Sequence, residues 1–182
     1  GANTTGDNNV AVGRLALTGN TTADDNTAVG YQSLTGNTTG NNNTAVGKDS
    51  LSRNTTGIEG TAVGMNALDH NTTGTANTAV GYAAVTAVST GSYNTGVGRA
   101  SLASVTTSNY NTGLGAYSLS GNTTGTSNVA VGYQAGMTIN TGDYNVAVGA
   151  TALDVATSAN YNTAVGYASL GANTTGPENT AV

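Results

Sequence analysis

His70, beside Asp69, is the one imidazole in the chain, and with no cysteine present it is the natural starting point for any acid–base or nucleophilic chemistry. A nucleophile, a base and an orienting acid cannot be assembled around it. No enzymatic activity and no catalytic residue is therefore expected. The carboxylates, Asp24, Asp25, Glu59, Asp143 and Asp154 among them, are scattered and form no rank that runs from coil to coil along the chain. The GGxGxD pattern that supplies an Asp ligand from each coil of calcium-binding solenoids is absent, so neither a metal site nor a cofactor is expected. Four tyrosines, Tyr31, Tyr82, Tyr133 and Tyr167, offer another kind of chemistry. A flat ring carrying a hydroxyl contributes contact area at low entropic cost, which suits surface recognition of a glycan or a protein receptor. Packing within the fold is an equal use for those rings.

Those residues are held by a repeat. A glycine closes an AVG-like triplet at Gly13, Gly30, Gly47, Gly64, Gly81, Gly98, Gly115, Gly132, Gly149 and Gly166, always at an interval of 17 residues. Counted from the Asn of NTAVG, ten units fill residues 9–178 without insertion or deletion. Asn26 to Asn42, NTAVGYQSLTGNTTGNN, is the clearest copy. Gly in every unit and paired Thr in most, with no apolar stripe of period 3.6, exclude a helix. The alternation in NTAV is strand-like, and the adjacent Thr residues of NTT favour a second extended stretch. These features predict an all-β fold, a parallel β-solenoid with one 17-residue coil per repeat, spanning residues 1–182 as a single domain. Stacked at about 4.8 Å, ten coils would form a rod about 50 Å long.

Two apolar columns, one running from Val12 through Leu114 to Val165 at the fourth position and one from Leu17 to Leu170 at the ninth, are assigned to the interior. Gly136 interrupts the second, and Met137 and Ile139 are expected to refill the gap. Ala or Gly at the third position would then face outward as a small-residue surface. The opposite assignment, with Ala inside and Val at a subunit interface, leads to the same fold. Burying the outer face between chains would add apolar area that a thin coil lacks, so oligomerisation, as a homotrimer, is expected. The glycine at position five calls for left-handed backbone or a close approach.

Asn at positions one and twelve can form side-chain ladders from coil to coil. Triplets such as Asn20–Thr22 and Asn37–Thr39 match the N-glycosylation pattern, but the repeat needs these residues for structure anyway. In four units position twelve is Val88, Val105, Ile139 or Ala156, and position seventeen is then Tyr93, Tyr110, Tyr144 or Tyr161. Packing of each ring on its aliphatic neighbour is the expected cause.

A net charge of −5, with four basic residues, lacks the electrostatic footprint of nucleic-acid binding. Nor does any apolar run reach the length of a membrane span. The repeat runs to both termini with no initiator Met, which reads as part of a longer protein.

The units NTAVGYQSL, NTAVGYAAV and NTAVGYASL resemble the NSVAIG-type head repeats of trimeric autotransporter adhesins of the YadA type. They resemble even more the NTAVGYxAL and NTTG arrays of bacterial and phage tail-fibre-domain proteins. That resemblance implies a left-handed β-roll in a trimer, extracellular on a cell surface or virion tail fibre, with attachment as its function. The unit here is longer than the usual adhesin head repeat. Two other functions stay open. A Thr rank from Thr22 to Thr141 at position fourteen suggests ice binding, although its same-face companion at position twelve is Asn or aliphatic rather than a second Thr. Open coil edges at Gly1 and Val182 would allow end-to-end stacking into a filament.

Overall fold

The computed structural model describes residues 3–182 and contains one sheet of 11 parallel strands in sequential order, from β1 (Val10–Val12) and β2 (Thr27–Val29) to β10 (Thr163–Val165) and β11 (Thr180–Ala181). Each strand pairs with the next repeat in the register Thr27↔Thr44, Ala28↔Ala45, Val29↔Val46. One repeat is thus one coil of a β-solenoid. Gly1, and with it one of the two coil edges considered above, lies outside the described residues.

Leu34, Leu51, Leu68, Leu102, Leu119 and Leu153 are fully buried and form the spine of the core. Beside them lie Ala28, Ala45, Ala62 and Ala79 of position three, not the valines. The expected interior position of the valine column is therefore corrected: Val12, Val46, Val63, Val97 and Leu114 point outward and are exposed. Coil width is the cause. A Cβ placed on Gly96 would lie 2.6 Å from Val85 Cγ2, and one on Gly113 would lie 2.5 Å from Ser101 Oγ. At position three the coil admits a methyl group or nothing, so Val takes the opposite side of the strand. The outer face is accordingly Thr and Val rather than Ala and Gly.

The NTT stretch is a bend, not a second strand. The Thr21 and Thr22 N–H groups both donate to Thr38 O, at 3.1 and 3.4 Å, so consecutive donors converge on one carbonyl instead of alternating along a ladder. Thr hydroxyls reinforce the same stack, Thr38 Oγ1 donating to Thr55 O at 2.9 Å.

Position five needs glycine for both expected reasons. Gly64 has φ 133°, and a Cβ there would meet Gly81 O at 2.5 Å. Less legible are the left-handed residues at positions seven, nine and seventeen, such as Gln32 (φ 56°), Leu34 (φ 51°) and Tyr93 (φ 60°). At the Gly136 gap, Ile139 Cδ1 comes within 3.0 Å of where a Cβ of residue 136 would stand, so Ile139 fills the lost leucine volume. Met137 is only half-buried beside it.

Asparagine side chains close the coils. Asn43 N–H donates to Asn26 Oδ1 at 2.9 Å, and Asn43 Nδ2 donates to Gly57 O across the coil at 2.9 Å. At position twelve Asn37 donates to Asn20 Oδ1, Asn54 to Asn37 and Asn71 to Asn54, at 3.2, 2.8 and 2.9 Å. Asn20 and Asn37 are fully buried in that ladder, which removes them as glycan acceptors in the folded chain.

Candidate functional site

Position six follows the invariant glycine at the turn, so its side chains line one edge of the rod. Tyr31, Tyr82, Tyr133 and Tyr167 all lie there and all are exposed, Tyr167 most of all at 83%. Stacking brings two of them into one string. Arg99 Cζ lies 5.8 Å from the Tyr82 ring centre and 5.6 Å from that of Tyr117, and Tyr117 meets Tyr133 edge-on at 6.3 Å and 87°. Cation–π and edge-to-face attraction hold this Tyr82–Arg99–Tyr117–Tyr133 string across four successive coils. Tyr31 belongs to a separate pair with Arg14, at 5.7 Å. Arg99 and Tyr117 were missed by sequence reasoning. Arg99 shares the tyrosines' column and was legible there, whereas Tyr117 stands one position later, at seven.

A second aromatic site lies at position seventeen. Tyr93 stacks on Tyr110 at 5.3 Å and 6°, and Tyr144 on Tyr161 at 5.1 Å and 3°. The expected packing of each ring on its own aliphatic partner is corrected: Val88, Val105, Ile139 and Ala156 are buried inside the coil, while the rings are half-exposed and pack on each other. No family model matches the chain, and no curated protein or solved structure is significantly similar to it.

Around His70 the structure adds Ser52, whose Oγ donates to Asp69 Oδ1, while His70 Nε2 lies 3.5 Å from Asp69 Oδ2. The order is Ser–Asp–His. In a nucleophilic triad the imidazole stands between hydroxyl and carboxylate, so here the hydroxyl proton is directed to the carboxylate and not to a base that could relay it. The Thr rank of position fourteen is exposed from Thr22 to Thr141, but position twelve beside it is buried, so no second rank accompanies it.

A further surface is the outer face of the sheet. Thr27, Thr44, Thr61 and Thr78 alternate with Val29, Val46, Val63 and Val80 on that face, and it carries no charged side chain in any strand. Eleven strands at about 4.8 Å give a flat strip on the order of 500 Å², large enough to serve as an interaction surface.

Proposed function

We propose that the chain is a rigid, non-enzymatic segment of an extracellular fibre, assembled laterally as a homotrimer and carrying receptor-recognition side chains at its turns. The observation that carries this reading is the outward Thr/Val face: Val63, Val97 and Leu114 are 37, 37 and 38% exposed on a flat, uncharged sheet. Such a face gains free energy by meeting another copy of itself, and a shared 17-residue period lets identical ranks interlock along the rod. The resemblance to trimeric adhesin and tail-fibre repeats supports the stoichiometry, the location and the attachment role. Light scattering coupled to size exclusion tests it, with a discrete species of three times 17.7 kDa expected. A stable monomer overturns the assembly, and polydisperse growth favours end-to-end stacking instead.

A second reading, ice binding, draws on the same face, because regularly spaced Thr and Val ranks on a flat sheet form a rigid hydroxyl-and-methyl lattice. Measurement of thermal hysteresis separates the two, since a trimer that buries the face leaves ice growth unaffected.

A further inference from the structure

The two tyrosine stacks sit in one rank. Tyr93, Tyr110, Tyr144 and Tyr161 share the same left-handed backbone, φ 60°, 61°, 57° and 57°, and Ser127 between them has φ 57°. The five side chains therefore leave the rod from equivalent places. Ser127 is too small to continue the stack. The facing rings of Tyr110 and Tyr144 are consequently two coil steps apart, roughly 10 Å, with an open gap over the serine. A six-membered ring seated midway would have its centre about 5 Å from each tyrosine, within the range of favourable ring contacts.

We infer that this gap between Tyr110 and Tyr144 is a binding slot for a pyranose ring with all substituents equatorial, of the β-gluco configuration. Such a chair presents only axial C–H groups on both faces, so it can pack against an aromatic ring on each side. A sugar with an axial hydroxyl can do so on one face alone, because the other would bring an unpaired hydroxyl against a ring. The residues that neighbour the slot in the chain, at position sixteen, are polar, which suits the equatorial hydroxyls. Thr126 and Asp143, at position sixteen, directly precede Ser127 and Tyr144 in the chain and are half-buried. Asp143 Oδ1 accepts from the Thr126 N–H at 2.7 Å and from its hydroxyl at 3.1 Å, while Oδ2 has no partner among the described residues. Asn109 and Asn160 continue the row, their Oδ1 atoms accepting from the Ser92 and Asp143 N–H groups, both at 2.7 Å. Their amide NH₂ groups, with the Asp143 carboxylate, supply spare donors and an acceptor for a sugar's rim. An aromatic guest would leave them unused.

This deepens the receptor-recognition part of the proposed function, and its failure is distinguishable from failure of the assembly, which is read by mass alone. The purified oligomer is titrated with cellotetraose and chitotetraose, following tyrosine fluorescence and saturation-transfer NMR, with β-1,4-galactotetraose as the axial-hydroxyl comparison. Saturable binding of the first two is expected, with the galacto probe about ten-fold weaker, and Tyr110→Ala or Tyr144→Ala each weakening it about ten-fold. Ser127→Tyr is the decisive variant. It places at this turn the residue that four other coils carry, so the solenoid persists by circular dichroism, yet it fills the slot and abolishes binding. The inference is overturned by no response to either equatorial probe up to about 10 mM, by binding that survives Ser127→Tyr, or by preferential binding of N-acetyl-tyrosinamide over the sugars.

Discussion

Val88 occupies, one coil on, the position from which an asparagine would donate to Asn71, and the buried Asn71 Oδ1 accepts no hydrogen bond. Asn122 Oδ1 is left the same way by Ile139. Each change from amide to aliphatic at position twelve thus ends a ladder with one unpaired acceptor. Truncation should cost more inside a ladder than at its end. Asn54→Ala removes donations to Asn37 Oδ1 and Gly57 O and also takes the acceptor from one of the two Asn71 amide N–H groups, the other still donating to Gly74 O, so a loss of about 2–4 kcal/mol is expected. Asn71→Ala removes two donations and strands nothing further along, with a loss of about 1–2 kcal/mol. Hydrogen exchange at the amides of Thr55 and Thr72 reads the two locally, which suits a repeat protein whose coils open in part. Equal loss of protection in both variants would sink this account.

The position-one ladder has a different flaw. Gly60 stands where the neighbouring coils carry Asn43 and Asn77, so no side-chain oxygen is available to the coil that follows. Gly60→Asn should restore the chain seen elsewhere, in which Asn94 N–H donates to Asn77 Oδ1 at 2.9 Å. The new Cβ would stand 2.9 Å from Asn43 Oδ1, so that amide must shift, which the far end of a flexible side chain does at little cost. A gain of about 1 kcal/mol is expected, seen as a higher midpoint in thermal unfolding. A lower midpoint would mean that Leu51, 3.3 Å away, cannot yield.

Backbone handedness separates two glycine exchanges of opposite sign. Ala76 has φ 53°, so Ala76→Gly relieves left-handed strain and should stabilise by about 0.5–1 kcal/mol. Gly64→Ala meets strain and the Gly81 carbonyl at once, and a loss of about 3 kcal/mol or more is expected, measured by denaturant unfolding.

Why some of this was legible and some was not can be traced to particular residues. The period, the Leu34 column and the asparagine ladders follow from identity at fixed spacing, which coil stacking converts directly into contact. The sense of the strand did not follow. Ala28 and Val29 are both apolar, and an alternation of two marks the existence of two faces without marking which is inside. Coil width decides it, through contacts such as Val85 against Gly96 that join residues eleven apart across the interior. Leu34 and Tyr110 carry no signal for left-handed backbone, which local sequence normally announces with Gly or Asn. The tyrosine pairs were visible as a pattern, but their partner was misread because ring-on-ring stacking needs the coil rise, not the neighbouring residue.

The outer sheet face supplies a further prediction. Val80→Lys puts an ammonium on the middle of a strip that has no counter-charge, and its four-carbon stem leaves the coil interior untouched. Burial of that charge between chains is unfavourable by several kcal/mol, so the oligomer should dissociate to folded monomers. Far-ultraviolet circular dichroism unchanged with a mass falling to one third is the expected pair of results. Retained mass would move the interface elsewhere.

Register gives the sharpest contrast, because the pairing Thr27↔Thr44 and Thr44↔Thr61 makes each coil interchangeable with the next. Deleting residues 43–59 removes one whole coil and brings β2 against the strand at Thr61–Val63, with Asn37 now beneath Asn71. Buried Leu34 meets Leu68, and the position-twelve amides still find each other. The shortened rod should fold, with stability reduced by about one coil's share. Deleting residues 43–58 instead leaves one extra residue in the turn before that strand. The columns beyond it would be displaced by one place against the coil below, bringing Thr61 of the outward face over the alanine column at Ala28, where the coil accepts no more than a methyl. Protease resistance together with the β-sheet dichroism signal should be kept by the first variant and lost by the second. Equal tolerance of both would show that the coils are joined more loosely than their coil-to-coil hydrogen bonds require.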